Sequence, residues 1–236
     1  MTVFGICEKG NYRRENQDSV LMRTRGSSGL LLVADGVGGS ADGSAASFYI
    51  AETYARWWDE AFLENRNHDF FSLFEELKTR ADEINGDLCR KYGPGRSCST
   101  LALLFVHRGI YGYLSSGDSR IYRCNRKGAR PITRDDVWEN RPGADAGSDN
   151  AGKIISALGA YERLEYSCAT DKVHMGEVFL LCSDGIYRFV EEDTLKSVLQ
   201  RMYRSLFLTK GAVERLVKTA VDNDTKDNYS LIAVKI

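Results

Sequence analysis

The chain is 236 residues long, with 32 Lys+Arg against 33 Asp+Glu and a formal charge of −1. No excess of cations is available to neutralise phosphates, so no nucleic-acid partner is expected. Hydrophobic residues make up 43% and charged residues 28%, a globular profile with a sizeable core that excludes wholesale disorder.

No apolar run approaches a membrane span, and Glu8 and Lys9 interrupt any secretory pattern at the start. A cytoplasmic chain with no membrane partner is the expectation. Six scattered cysteines without a CxxC pair suit buried reduced thiols better than a disulfide framework or zinc site. His68, His107 and His174 fall in turn or loop contexts and read as surface residues.

In chain order, Leu30 to Ala34 form an apolar run that stops at Asp35-Gly36-Val37-Gly38-Gly39, a buried strand ending in a glycine loop. After Ser40 the period changes to helical, with Phe48, Ala51, Ala55, Trp58 and Phe62 near one face. A second helix from about Asp69 to Lys91 carries Phe70, Phe74, Leu77, Ala81, Ile84 and Leu88 and ends at Gly93-Pro94-Gly95. Strands follow at Thr100 to Val106, Ile110 to Leu114 and Ile121 to Cys124, with a turn from Asn125 to Gly128.

The stretch from Arg134 to Lys153 holds Pro142, Gly143, Gly147 and Gly152 but few apolar residues, and reads as a loop or flap. Strands around Leu164 to Ala169 and Val178 to Cys182 come next. Helices from Glu191 to Tyr203 and Lys210 to Asp222 precede a last strand, Tyr229 to Ile236. Strands and helices come in blocks, not in strict alternation, which predicts an antiparallel α+β fold in a single domain over 1–236.

The chemistry lies in aspartates at strand ends. Apolar strands run into Asp35, Asp118 and Asp184, and Asp227 stands just before the last strand. An Asp beside Gly is ordinarily a turn residue. Four at strand ends suggest a cluster at one sheet edge, which repels itself unless a cation neutralises it. Carboxylates and carbonyls without His or Cys suit hard cations such as Mg²⁺ or Mn²⁺, and Gly36 lets its backbone approach such an ion closely. Near the start, Gly10 to Asp18 adds Asp18 and two arginines. If residues 11–14 are extended, Arg13 and Arg14 point to opposite faces and only one enters the site.

These pieces resemble the metal-dependent protein phosphatases of type 2C (the PPM family). Gly10-x-x-Arg13 with Asn16-Gln17-Asp18, Val33 to Gly39, Cys98-Ser99-Thr100-Leu101, Ser116 to Arg120, Ala157-Leu158-Gly159, Ser183-Asp184-Gly185 and Asp227 to Ser230 follow the family's order across the chain. The resemblance implies an αββα sandwich of two antiparallel sheets flanked by helices. It also implies hydrolysis of phosphoserine and phosphothreonine in a phosphoprotein, the target of a serine/threonine kinase, by a metal-bridging hydroxide.

By the same resemblance Asp35 bridges two metals (Mn²⁺ or Mg²⁺), the Gly36 carbonyl binds the second, and Asp184 and Asp227 complete the first. Asp118 with Asp184 matches a third-ion site of bacterial members, Asp18 holds metal-bound waters, and Arg13 grips the substrate phosphate. Residues 134–155 occupy the flap region. Two positions depart from the pattern: Gln17 stands where many relatives have glutamate, and Val37 where some have a histidine acid. The competing readings are a catalytically inactive member acting as a binding or regulatory protein, and a phosphatase of small phosphoesters.

Overall fold

The computed structural model describes residues 1–37, 42–63, 69–141, 143, 150, 152–207 and 210–236. Gly38, Gly39, Ser40, His68, Pro142, Gly147 and the Phe62 side chain lie outside the described residues.

Two five-stranded sheets face each other. The first runs β1 (Thr2–Glu8), β10 (Tyr229–Lys235), β9 (Val178–Cys182), β6 (Arg120–Asn125), β7 (Gly128–Pro131). The second runs β2 (Asp18–Arg25), β3 (Ser28–Asp35), β4 (Leu101–His107), β5 (Ile110–Ser116), β8 (Ser167–Lys172). Every pairing is antiparallel. Helices α1 (Gly43–Leu63) and α2 (Phe70–Tyr92) cover the outside of the second sheet. The short α3 (Asp184–Tyr187), α4 (Glu192–Arg204) and α5 (Lys210–Asp222) cover the first. The result is the four-layer αββα sandwich that the sequence resemblance implies.

The period of two along β3 explains its unbroken apolar run. Leu30, Leu32 and Ala34 point at the helices and meet Ile50, Tyr54, Leu77 and Ile84. Leu31 and Val33 point the other way, into a core shared with Phe179, Leu181, Ile232 and Val234 of the opposite sheet. A strand buried on both faces has no solvent side and needs no polar alternation. On the far side, Leu180 and Cys182 of β9 pack against Leu195, Leu199, Val213 and Leu216 of α4 and α5.

Helix α2 follows its pattern, and its six expected stripe residues are all buried. Asp69 caps it by accepting from the Phe71 and Ser72 amides at 2.9 and 3.2 Å, and Gly93 closes it at φ +88°. Helix α1 is turned differently from expectation. Phe48 is 63% exposed, and the buried face runs through Ala46, Ile50, Tyr54, Trp57, Trp58 and Ala61, with Trp58 of the expected stripe buried and Ala51 and Ala55 partly buried against the same core. A two-residue offset rotates a helix by about 200°, and small Ala46 lets the backbone approach the sheet where Phe48 cannot.

Strands β1, β2 and β7 and helix α3 were not anticipated, and β8 begins later than expected, as an exposed edge. His107 is buried rather than superficial, bonded to the Ser28 hydroxyl through Nδ1 at 2.7 Å and stacked on Phe105. The cysteines are free, with Cys98, Cys124 and Cys182 buried and Cys168 exposed. Among the described residues, no helix is long and apolar enough to cross a membrane.

In the stretch over 134–155, Val137 bridges Ile154, the Trp138 amide donates to Lys153 O at 2.9 Å, and Trp138–Asn140 make a single 3₁₀ turn.

Candidate active site

The antiparallel register of β2 and β3 sets Asp18 directly opposite Asp35 at one end of the second sheet. Ser183, at the end of β9 in the first sheet, donates its hydroxyl to Asp18 Oδ2 at 2.9 Å and accepts the Ser230 amide of β10 at 2.9 Å. One buried hydroxyl thus ties the two sheets together at the cluster. Asp184 begins α3 directly after it, Asp227 lies two residues before β10, and Asp118 sits in the turn from β5 to β6.

The charges feel one another. Burial first, and then Asp18, Asp184, Asp118 and Asp227 in that order, push the Asp35 carboxyl well above the ordinary range. Burial raises Asp18 to about 6, against the lowering by its serine hydrogen bonds. Burial and then Asp118 raise Asp184 to about 7. Buried like charges that raise one another in this way are costly without a cation among them.

The backbone of the site is fixed by contacts that admit no side chain. A Cβ on Gly36 would lie 2.6 Å from the Gly43 carbonyl carbon and oxygen and 2.9 Å from Gln17 O. The Gln17 carbonyl accepts the Gly36 amide at 3.0 Å and the Ser47 hydroxyl at 2.6 Å, while its side chain turns to Glu15. Position 17 therefore contributes its backbone to the fold of the site. Thr100 Oγ1 accepts the Asp35 amide at 3.0 Å and meets the Ser119 hydroxyl at 2.8 Å. Gly117, at φ +94°, turns the chain towards Asp118 where a Cβ would strike the Thr100 side chain.

Two arginines enter the cluster. Arg13 Nη2 donates to Asp227 Oδ2 at 2.6 Å with 47% of its side chain exposed, while Arg14 stays outside. Arg188, at the end of α3, donates from Nη2 to Asp118 Oδ2 at 2.9 Å and is ion-paired through Nε with Asp184 Oδ2 at 3.2 Å. It is the main feature that sequence reasoning missed. The signal was its spacing of four from Asp184 on a helical turn. Ser183, Thr100 and Asn228 lie in the family-like motifs, and spacing alone shows none of their contacts. Asp136, also missed, has a carboxyl raised to about 6 by burial and accepts the Gly117 amide at 3.1 Å.

Oxygen donors alone suit a hard divalent cation. Asp18 Oδ1 and Asp184 Oδ1 are buried with no hydrogen-bond partner, open valences of the kind such a cation fills. Among the described residues no three carboxylates already close on one point, and Arg13 and Arg188 hold oxygens of Asp227, Asp184 and Asp118.

A family model, protein phosphatase 2C, matches residues 12–219. The chain belongs to this family. It is a metal-dependent protein phosphatase. A putative protein phosphatase of Mycoplasma pneumoniae is 26% identical over 98% of this chain and 94% of its own length. Among solved structures, PppA, a key regulatory component of T6SS in Pseudomonas aeruginosa, aligns with a TM-score of 0.82 at 27% identity, covering 100% of this chain and 97% of PppA. The catalytic domain of the serine/threonine phosphatase PstP, solved with two manganese ions, aligns at 0.79 and 24% identity over 99% of this chain and 97% of that one. The sandwich of this phosphatase is that of its solved relatives.

Proposed function

We propose that this phosphatase hydrolyses phosphoserine and phosphothreonine in proteins phosphorylated by a serine/threonine kinase, in the cytoplasm. The observation that carries the reading is the convergence of Asp18, Asp35, Asp118, Asp184 and Asp227 with unpartnered buried oxygens on Asp18 and Asp184. We assign Asp35, the Gly36 carbonyl, Asp184 and Asp227 as holding two divalent ions, Mn²⁺ or Mg²⁺, with Asp18 beside them. When bound, such ions supply a water acidic enough to attack phosphorus and positive charge for the phosphoryl oxygens.

The protein's own groups do the rest. Asp18 is oriented by the Ser183 hydroxyl on one oxygen and leaves the other for the site. Arg13 stands at the rim, and its planar fork matches two phosphate oxygens. Val37, after Gly36, carries no proton, so no side-chain general acid is assigned there. The catalytic domain covers 1–236, with 134–155 as a flap. The flap reading is supported by its base, where the Asp136 amide donates to Gly117 O at 2.8 Å beside Asp118. The full set of carboxylates favours an active enzyme over a binding-only relative.

Phosphate release from a phosphothreonine peptide tests the reading. Release is expected with Mn²⁺ or Mg²⁺, lost with EDTA, and cut by about 100-fold or more in Asp184→Asn. Release that ignores EDTA, or a fully active Asp184→Asn, refutes the assignment.

A further inference from the structure

We propose that Arg188 is a built-in cation that takes the place of a third divalent ion between Asp118 and Asp184. The inference rests on the two-ion reading above. In bacterial members of the family, as the sequence resemblance implies, the matching aspartates hold a third metal. Here the residues do not fit that ion, because the ground between them is filled by a guanidinium.

Arg188 contacts both carboxylates at once, Nη2 to Asp118 at 2.9 Å and Nε to Asp184 at 3.2 Å. A planar fork can bridge two carboxylates in this way, holding one with each edge. The Tyr187 hydroxyl donates to the same Asp118 oxygen at 3.3 Å, so Oδ2 already has two donors. Tyr187 is itself held, with the Arg120 guanidinium 3.7 Å over its ring and Arg120 clamped on Asp135 at 2.7 Å. The short α3 fixes the geometry, since Asp184 and Arg188 are four apart and the Arg188 amide donates to Asp184 O at 3.1 Å.

The pattern of unpartnered atoms agrees. Asp18 and Asp184 each keep a buried oxygen without a partner, whereas Asp118 Oδ2 carries both the Arg188 guanidinium and the Tyr187 hydroxyl. Only 3% of the Asp118 side chain is exposed, so its charge depends on this pairing. A third ion at Asp118 would have to displace Arg188, leaving that guanidinium without its two acceptors. The side chain is nonetheless 47% exposed, so removing it opens the pair to solvent ions rather than leaving a sealed cavity.

The test is the number of manganese ions held per chain at saturation, read by equilibrium dialysis with elemental analysis on the 236-residue chain. About two are expected for the wild type, about three for Arg188→Ala, and about two again for Arg188→Ala combined with Asp118→Asn. Arg188→Met, which keeps the aliphatic stem, is the second variant if the alanine protein folds poorly, and is expected to bind about three as well. Three ions in the wild type, or two in both single variants, overturn the inference while leaving the two-ion site intact. Fewer than two in the wild type overturns the two-ion reading and this inference with it.

Discussion

At the scale of single residues, Arg13 and Arg14 are neighbours with different prospects. Both are exposed, but Arg13 reaches Asp227 at 2.6 Å, whereas Arg14 makes no ion pair among the described residues. The Arg13–Asp227 pair is 47% and 31% exposed, and surface ion pairs of that kind contribute ~0–1 kcal/mol. A phosphate offering two oxygens competes readily for such a guanidinium. Arg13→Ala is therefore expected to raise KM for a phosphopeptide about tenfold with kcat changed by less than about threefold, the signature of lost phosphate binding. Arg14→Ala is expected to leave both constants within about twofold. Initial-rate kinetics with one phosphothreonine peptide check both, and the reverse ranking of the two variants shows that the wrong arginine has been assigned.

At the scale of elements, the loop carrying Arg13 is held by a side chain from the other end of the sequence. Asn228, 4% exposed, donates to Lys9 O at 2.8 Å and Glu15 O at 2.9 Å and accepts the Gln17 amide at 2.9 Å. Its loss leaves three backbone groups of this partly exposed loop without their anchor. Asn228→Ala is expected to lower stability in urea by ~1–2 kcal/mol and to raise KM in the direction of Arg13→Ala. An alanine variant with wild-type KM would show that the loop positions Arg13 without this anchor. Such contacts also mark what could be read from the chain alone. The doubly buried run of β3, the stripe of α2 and the bounds of α5 depend on local period and were legible. Strand β1 is half-exposed along its length and β7 has only four residues, so neither gives a clear alternation. The aspartates were legible one by one as strand ends. Arg188 on Asp118 and Ser183 on Asp18 span 70 and 165 residues, and pairs that far apart leave no trace in spacing.

At the scale of the whole molecule, the aspartate cluster makes the metal-free protein sensitive to pH in an unusual direction. Burial holds Asp184 at about 7 and Asp18 at about 6, both above the ordinary 3.8 of an unfolded chain. Across that window the folded state keeps protons that the unfolded state has released. Stability therefore falls as pH rises from about 4 to about 7, and the full cost is present above pH 7. Hydrogen-bonded carboxylates such as Asp69 and Asp171, held below the ordinary value, act in the opposite sense, but their stabilisation is lost only below about pH 4. A comparison between pH 5 and pH 8 reads the cluster together with Asp136, whose carboxyl burial raises to about 6 and which acts in the same sense, and a net charge of −1 leaves little general repulsion to confuse it. In EDTA the Tm is expected to be several degrees lower at pH 8 than at pH 5, since ~1 kcal/mol moves a domain of this size by about 2–4 °C. Mn²⁺ is expected to raise Tm strongly at pH 8 and weakly at pH 5, because at the lower pH protons already occupy the carboxylates that the ion needs. Asp184→Asn removes one of the repelling charges and is expected to flatten the EDTA profile while blunting the response to Mn²⁺. A metal-free Tm that rises from pH 5 to pH 8 rules out buried repulsion as the force that a divalent ion relieves in this fold.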